Sequence, residues 1–393
     1  MIFLVYLALL IALFWGAKLV KKGSWNDEWM SLSQTKALQG FTAICIMLHH
    51  CAQKTCAPWL APRVIVHGLD GFVRMGYIFV GVFLFCSGYG LYKSYKTKPN
   101  YLEGFCKKRI LPVVLAFYVT GYLFLIVRYA LGLRPSTGRL ICYLTGIQLS
   151  NPNAWFVVAL PIFYLGFYFS FRFCKKESHA IFCTCFVVFV YTLIGTCTNH
   201  NEFWMRGEWW YNSVHFFPLG LLFARYEKRV TEKIKCHYVL WMVVAIVSFI
   251  GFSRLSIYVQ NTISYYGEDY NLNLIPLRRW ACLLVQMVTS CSFVFAIFMA
   301  GLKIKIGNKF LAFMGTITME FYLIHGLFIE FFGYSFLDVR PSLYYIRNVT
   351  LFVFVVFACS IPSALLLKKA INLGKGKKKS SKKESMVQSE RAS

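Results

Sequence analysis

The sequence predicts an all-α, polytopic integral membrane protein, a bundle of about eleven transmembrane helices. Of the 393 residues, 58% are hydrophobic and only 15% are charged, which is typical of membrane proteins and not of soluble domains. The charges also lie in clusters, separated by apolar stretches that approach the roughly 20 residues a helix needs to cross a bilayer. Helices are the ordinary way to pair so many backbone amides in lipid.

Eleven stretches are free or nearly free of charge. They are 2–17, 37–53, 75–92, 110–127, 154–171, 180–198, 209–224, 238–253, 280–302, 310–332 and 348–367. The first has no positive residues before it, carries Lys18, Lys21 and Lys22 behind it, and lacks a small-residue cleavage site. It is therefore expected to be a retained anchor and not a signal peptide.

The net charge of +26 admits two interpretations, nucleic-acid binding or basic cytoplasmic loops. Of the 42 lysine and arginine residues, 30 fall in alternate connections between the apolar stretches and 12 in the others, and the alternation never breaks. This pattern excludes nucleic acid as a partner. It predicts an N-terminus outside and a C-terminus in the cytoplasm.

Three segments follow from this pattern: an anchor helix with a cytoplasmic linker (1–35), a transmembrane domain (36–367) and a basic tail (368–393). The tail is expected to be disordered and to lie against anionic lipid headgroups. Apart from Cys51, near the end of the second stretch, eight of the fourteen cysteines fall within apolar stretches, where they behave as small hydrophobic residues. Cys51 and Cys56 share an outward loop, and whether they form a disulfide stays open. No set of metal ligands is expected.

The second stretch carries the strongest polar pattern. At 100° per residue, the eleven steps from Gln39 to His50 add 20° to three full turns, so both side chains share one face, about 16 Å apart along the axis. Lys36 lies about 40° from that face, while His49 points about 100° away from His50. A histidine here suits general-base chemistry because its ordinary pKa is about 6.5. The alternative is a structural hydrogen bond to a neighbouring helix.

This stretch resembles the signature of the membrane-bound acyltransferase-3 family, bacterial proteins of many helices that O-acylate sugars and other envelope molecules. The family's opening helix has Arg-Gly and, eleven residues after the arginine, a histidine; Gln39-Gly40 and His50 stand in those places. The resemblance implies that His50 is catalytic. Gln39 departs from the family pattern at a position implied to bind the donor, and Lys36 is expected to supply the missing charge.

Two further segments resemble the family in the expected order. Residues 81–89 are similar to its Phe-Phe-x-x-Ser-Gly-Phe/Tyr helix and include Ser87. Residues 105–112 are similar to its basic Arg-Ile-x-Pro segment, with Lys107, Lys108 and Arg109 implied to contact donor phosphates, although Cys106 replaces a second arginine common in the family. Lysines neutralise phosphate without the bidentate fork of arginine. The alternative for both lysines is an ordinary basic cytoplasmic loop.

Three later segments also resemble the family: 155–164, 209–220 and 315–325. Trp155, Trp210 and Tyr211 are candidates for stacking on a sugar, with an interfacial aromatic belt as the favoured alternative. Glu320 and His325 are expected to face the protein interior but not each other, because five residues of helix separate them by about 140°. With His49 and Ser87, these side chains are assigned acceptor-binding or supporting roles.

The resemblance implies a ten-helix acyltransferase core preceded by one added anchor, in a bacterial plasma membrane. The implied activity is O-acyl transfer, commonly O-acetyl transfer, from cytoplasmic acyl-CoA to a hydroxyl of an extracytoplasmic or lipid-linked glycan. Acyl-CoA is a co-substrate, and no tightly bound cofactor is expected. A transporter of an envelope precursor and a non-catalytic scaffold are the alternatives, but matching broken helices, which would indicate a transporter, are absent from the sequence. The sequence leaves open the acceptor, the acyl chain, the oligomeric state and whether an acyl-enzyme forms.

Overall fold

The structure, a computed structural model, describes residues 2–60, 62–198, 203, 205–263, 275–334 and 344–374. Over these residues it contains thirteen α-helices and one pair of two-residue strands, so the predicted all-α helix bundle is confirmed. The first seven helices are α1 (Phe3–Phe14), α2 (Leu32–Thr55), α3 (Gly76–Thr97), α4 (Leu111–Ala130), α5 (Thr137–Thr145), α6 (Trp155–Phe173) and α7 (Glu177–Cys197). The others are α8 (Phe216–Cys236), α9 (Tyr238–Thr262), α10 (Ile275–Gly301), α11 (Lys309–Thr316), α12 (Thr318–Phe332) and α13 (Val349–Gly374).

Among the described residues, six helices are long and apolar enough to cross a membrane, and α11 with α12 makes a seventh if the bent pair counts as one span. The six are the long helices α4, α6, α7, α9, α10 and α13. Helices α2 and α3 carry more polar residues, and neighbouring helices bury most of their side chains. The chain is therefore a multi-pass membrane protein. The number of eleven crossings and the orientation of the termini stay predictions.

Helix α2 extends along the bundle from Leu32 to Thr55 and so defines two ends of it. We call the end where α2 begins the Lys36 end and the opposite one the His50 end. Ion pairs join the helices at the Lys36 end, where Lys96 contacts Glu177 at 2.7 Å and Lys93 contacts Glu227 at 2.5 Å. The basic residues counted in the alternate connections are thus partly neutralised by carboxylates on neighbouring helices.

Two predicted spans differ from the structure. The span 310–332 is two helices that meet at an angle of 82°, α11 and α12. The break falls at the β-branched run Thr316-Ile317-Thr318, whose side chains lose rotamer freedom in a helix. In the span 209–224 the α-helix begins only at Phe216. Pro218 explains this start, because proline is tolerated in a first turn but lacks the N–H and collides with the carbonyl that a longer helix would require.

Glycines allow the closest helix contacts, as they commonly do in membrane bundles. A Cβ at Gly40 of α2 would lie 2.5 Å from the carbonyl oxygen of Leu311 and 2.8 Å from the amide nitrogen of Gly315. In the same way, a Cβ at Gly88 of α3 would meet the backbone of Phe217 in α8. These contacts place α11 against α2 and α8 against α3.

The N-terminal segment packs on the bundle. The hydroxyl of Tyr6 donates to the carbonyl of Gly68 at 2.7 Å, and the side-chain amide of Asn308 donates to the carbonyl of Ala12 at 2.7 Å. Strand β1 (Lys18–Leu19) pairs antiparallel with β2 (Ile304–Lys305), just before α11. The segment that contains α1, a helix of only 12 residues, is thus joined to the same connection that leads into α11; that it anchors the chain in the membrane stays a prediction.

Two remaining expectations concern the cysteines and the tail. Cys51 and Cys56 are both buried, free thiols, so no disulfide joins them. Cys51 lies within α2 and Cys56 caps it, and five residues of helix direct the two side chains apart. Helix α13 extends the described chain to residue 374, and the rest of the predicted disordered tail, 375–393, lies outside the described residues.

Candidate active site

Helix α2 connects the two ends of the bundle without a break. The Ser31 side chain caps it by accepting from the amide of Gln34 at 3.4 Å, and the helix continues to Thr55. Lys36, Gln39 and His50 therefore lie along one helix as the sequence predicted. All three side chains are half-buried.

His50 and His325 form the central contact of the site. Nδ1 of His50 lies 2.6 Å from Nε2 of His325, and the two rings meet edge to edge with nearly parallel planes and centroids 4.9 Å apart. His325 comes from α12 and is completely buried, whereas His50 is half-buried. The prediction that His325 faces the protein interior is confirmed, and its partner is His50.

The backbone fixes which nitrogens carry protons in this pair. Nδ1 of His325 lies 2.9 Å from the carbonyl oxygen of Phe321, which can only accept, so this Nδ1 bears the hydrogen. Nε2 of a neutral His325 is then an acceptor, and the hydrogen in the 2.6 Å contact comes from Nδ1 of His50. The lone pair of His50 consequently lies on Nε2, the atom a general base would use.

His49 has a different partner. Its Nδ1 donates to the carbonyl of Phe72 at 2.7 Å, in the connection between α2 and α3. Its ring lies directly over Gly76, where any Cβ would collide with it. His49 thus connects the end of α2 to the segment that leads into α3. This contact is the structural hydrogen bond that the sequence offered as the alternative to a catalytic role.

The same connection contains a short ion pair. Nδ1 of His67 lies 2.6 Å from Oδ1 of Asp70, and the amide of Gly68 donates to Oδ2 at 2.7 Å. Partial burial favours the neutral carboxyl, but the hydrogen bonds from His67 and Gly68 outweigh it and lower the pKa of Asp70. The ionised carboxylate thereby holds the turn that positions the Phe72 carbonyl.

A second group of charged residues lies near the last turn of α2. Arg128 and Glu330 pair through two bonds, Nη2 to Oε1 at 2.5 Å and Nε to Oε2 at 2.8 Å. Nη1 of Arg128 also donates to the carbonyl of Ser150 at 2.7 Å. Lys54, one turn after His50, lies within electrostatic range of both members of the pair. The His50 end therefore places a half-buried lysine side chain between this ion pair and the imidazole-bearing turn of α2.

At the Lys36 end, charges converge from four elements. The ammonium of Lys36 lies within electrostatic range of Glu320, Arg109, Lys368 and the Cys86 thiol. Glu320 is buried, which confirms that it faces the interior. We call Lys36, Arg109 and Glu320 the Lys36 cluster.

The predicted basic donor segment divides into an inner and an outer part. It forms one π-helical turn, Cys106–Ile110, before α4, and such turns are frequent at functional sites. Nε of Arg109 donates to the hydroxyl of Tyr101 at 3.0 Å, and its side chain belongs to the Lys36 cluster. Lys107 and Lys108 are exposed, and Lys108 donates to the carbonyl of Glu103 at 3.0 Å.

Ser87 lies beside the same cluster. Its hydroxyl interacts with the hydroxyl of Tyr164, which also lies within electrostatic range of Arg109. Ser87 is half-buried in α3, one residue after Cys86. Of the residues assigned to donor binding or support, Lys36, Arg109 and Ser87 are thus brought together.

The aromatic candidates lie inside the protein. Trp210 is completely buried, and its ring centroid lies 6.5 Å from that of Trp155, which is also buried. Tyr322 connects this pair to the histidines, because its hydroxyl donates to the carbonyl of Asn153 at 2.6 Å and its ring centroid lies 6.4 Å from that of His50. The aromatic side chains therefore form a path from His50 and not an exposed belt.

Several polar residues of this region were not predicted. They are Lys54, Arg128, Glu330, Tyr322 and Asn153. Glu330 carried a usable signal, because an ionisable residue inside an apolar stretch is a functional candidate by default. Its partner Arg128 ends another apolar stretch, but only the fold shows that the two helices meet.

The fold and this site define a membrane helix bundle with a histidine pair at one end and a cluster of opposite charges at the other. A family model described as an acyltransferase domain matches residues 34–368. The chain belongs to the acyltransferase-3 family and is a membrane acyltransferase. No curated protein and no solved structure matches the chain.

Proposed function

We propose that this protein transfers an acyl group, commonly acetyl, from acyl-CoA in the cytoplasm to a hydroxyl of an extracytoplasmic or lipid-linked glycan. The observation that carries the proposal is the hydrogen-bond chain from Phe321 through His325 to His50. It orients the imidazole of His50 and leaves a lone pair on Nε2, as a general base requires. The localisation proposed is a bacterial plasma membrane, with the His50 end outside.

The donor is proposed to bind at the Lys36 end. Arg109 is suited to CoA phosphate because its fork binds two oxygens at once, and Lys36 adds a point charge on the neighbouring helix. Gln39 would contact the donor further along α2, and the exposed Lys107 and Lys108 would attract the phosphates from solution. The thioester would then extend along the bundle towards His50.

The transfer step moves one proton and exchanges one bond. Nε2 of His50 takes the proton from the acceptor hydroxyl as its oxygen attacks the thioester carbonyl. The tetrahedral intermediate collapses, the C–S bond breaks, and the CoA thiolate receives a proton from the imidazolium. An alternative route has the acyl group carried briefly on His50 before the hydroxyl accepts it.

Glycan analysis of cells tests the proposal. Envelope glycans are compared by mass spectrometry and NMR from cells with the wild type, without the protein, or with His50→Ala at equal membrane abundance. An ester present only with the wild type is expected, and it also identifies the acceptor. Equal ester content with the His50→Ala form would remove His50 from the chemistry. Identical profiles in all three cultures, together with no acyl-CoA consumption by purified protein, would contradict the proposed activity.

A further inference from the structure

A second group of buried polar side chains lies where α7, α10 and the turn before α8 meet, at the His50 end. Along α10, each of Arg279, Gln286, Thr289 and Ser290 is 2% exposed or less. Helix α10 is nevertheless one of the six apolar helices. Polar residues at such depth are costly and are functional candidates by default, and the proposed transfer step uses none of these.

Arg279 is held in a defined orientation. Its Nη1 donates to the carbonyl oxygens of Thr196, at 3.1 Å, and Thr198, at 2.5 Å, where α7 ends. Nε and Nη2 are buried, and neither nitrogen has a hydrogen-bond partner among the described residues. These two nitrogens form the side-on edge of the guanidinium, which binds two oxygens in parallel. The bonds at Nη1 therefore orient a fork that is free to bind a ligand.

Acceptor and hydroxyl groups lie in the turn before α8 and on α7. Asn212 and Ser213 are buried, and Oδ1 of the first and Oγ of the second have no hydrogen-bond partner among the described residues. The same holds for the hydroxyl of Tyr191 in α7. We call Arg279, Asn212, Ser213 and Tyr191 the Arg279 group.

Tyr211 shows that these elements meet in one place. Its ring lies directly over Gly195, one turn after Tyr191, and any Cβ there would collide with it. The charges of Glu208 and Arg279 both act on the Tyr211 hydroxyl. Because these two charges have opposite sign, the place as a whole is close to neutral.

This group is connected to the histidine pair. The turn that contains Asn212 begins with Trp210, whose ring faces Trp155 at the start of α6. Asn153, two residues before α6, accepts a hydrogen bond from the Tyr322 hydroxyl through its carbonyl, and the ring of Tyr322 lies near that of His50. Trp210, Trp155, the Asn153 carbonyl and Tyr322 thus form a continuous series of contacts from the Arg279 group to His50.

We infer that the Arg279 group binds an uncharged sugar ring of the acceptor glycan. The fork of Arg279 would donate to two neighbouring hydroxyl oxygens, while Asn212, Ser213 and Tyr191 exchange hydrogen bonds with the rest of the ring. Donors, acceptors and aromatic faces together match a polyhydroxylated ligand, and the opposite charges of Arg279 and Glu208 leave no net charge for an anionic ligand to neutralise. The inference rests on the proposed function for the statement that the sugar is an acceptor.

Binding without acyl-CoA tests the inference separately from transfer. Saturation-transfer NMR is recorded for purified protein in sugar-free lipid nanodiscs with methyl glucoside, methyl N-acetylglucosaminide or methyl glucuronide. Saturation of at least one neutral glycoside is expected with the wild type and with His50→Ala. With Arg279→Gln the affinity should fall about tenfold, the effect of losing roughly one charge-assisted hydrogen bond. Arg278→Gln, which removes the same charge one residue earlier, is the matched control and should bind as the wild type does.

Three results would overturn the inference: no neutral glycoside bound by the wild type, glucuronide bound in preference, or equal binding by a folded Arg279→Gln form. If Arg279→Gln fails to accumulate, Asn212→Ala and Ser213→Ala replace it, since neither touches the bonds to Thr196 and Thr198. Each should weaken binding several-fold, and unchanged binding in both would contradict the inference. Sugar binding that depends on Arg279 but is never followed by acylation would retain this site and refute the proposed function.

Discussion

Nδ1 of His50 and Nε2 of His325 lie 2.6 Å apart, although 275 residues separate them in the chain. The contact makes His325 a positioning residue for His50, since the carbonyl of Phe321 holds its other nitrogen.

Replacing His325 by Ala should lower kcat for acyl transfer about 10²-fold or more, because His50 loses the partner that fixes its tautomer. KM for acyl-CoA should change little, since the donor is proposed to bind at the other end of α2. Release of CoA by purified protein measures both constants. His49→Ala is the control, and its loss of kcat should be much smaller because His49 contacts the Phe72 carbonyl. Equal losses in the two variants would contradict a special role for His325.

Arg109→Ala should raise KM for acyl-CoA more than tenfold and leave the apparent affinity for the acceptor unchanged. The reason is that Arg109 belongs to the Lys36 cluster and can bind phosphate with two bonds. Lys107→Ala is the matched variant, because Lys107 is exposed in the same turn. Its effect should be smaller and should diminish as salt is raised. A KM for acyl-CoA equal to that of the wild type in Arg109→Ala would contradict donor binding there.

Gly88→Ala should destabilise the bundle by roughly 1–3 kcal/mol, because the added methyl group meets the backbone of Phe217 and the helices must separate. Gly90→Ala in the same helix has open space around it and should be neutral or slightly stabilising. The thermal midpoint of each purified variant measures the difference. A lower midpoint for Gly90→Ala than for Gly88→Ala would be inconsistent with the observed α3–α8 contact.

Arg128→Leu should destabilise the protein by roughly 3 kcal/mol, because it leaves the carboxylate of Glu330 without its bidentate partner. The double variant Arg128→Leu with Glu330→Leu should recover most of that loss, since no buried charge then remains unpaired. Chemical or thermal unfolding of the two single variants and the double variant gives the coupling energy. Additive losses would mean that the pair contributes no coupling.

The helical class and the six long apolar helices could be predicted because apolar length and charge clustering are local properties of the chain. The face shared by Gln39 and His50 was also predictable, since it depends only on helix geometry within α2. The bend between α11 and α12 was not, because β-branched residues at 316–318 weaken a helix without requiring it to turn.

The partners of the site residues could not be predicted for a different reason. His325 was expected to be buried, but its contact with His50 depends on how α12 crosses α2, which no periodicity specifies. The pairing of Arg128 with Glu330 likewise joins two apolar stretches 202 residues apart. Only the packing of the helices shows which polar residues of these stretches contact each other.

The short strand pairing between Lys18–Leu19 and Ile304–Lys305 has a consequence for how the chain can be shortened. The family match begins at residue 34, which makes the first thirty residues look dispensable. Their removal would expose the backbone edge of β2 and take away the carbonyl of Ala12 that accepts from Asn308, the residue that caps α11. Helix α11 lies against Gly40 and the backbone of Lys36. Trimming the N-terminus would therefore destabilise α11 and, through it, the position of Lys36 in the proposed donor site.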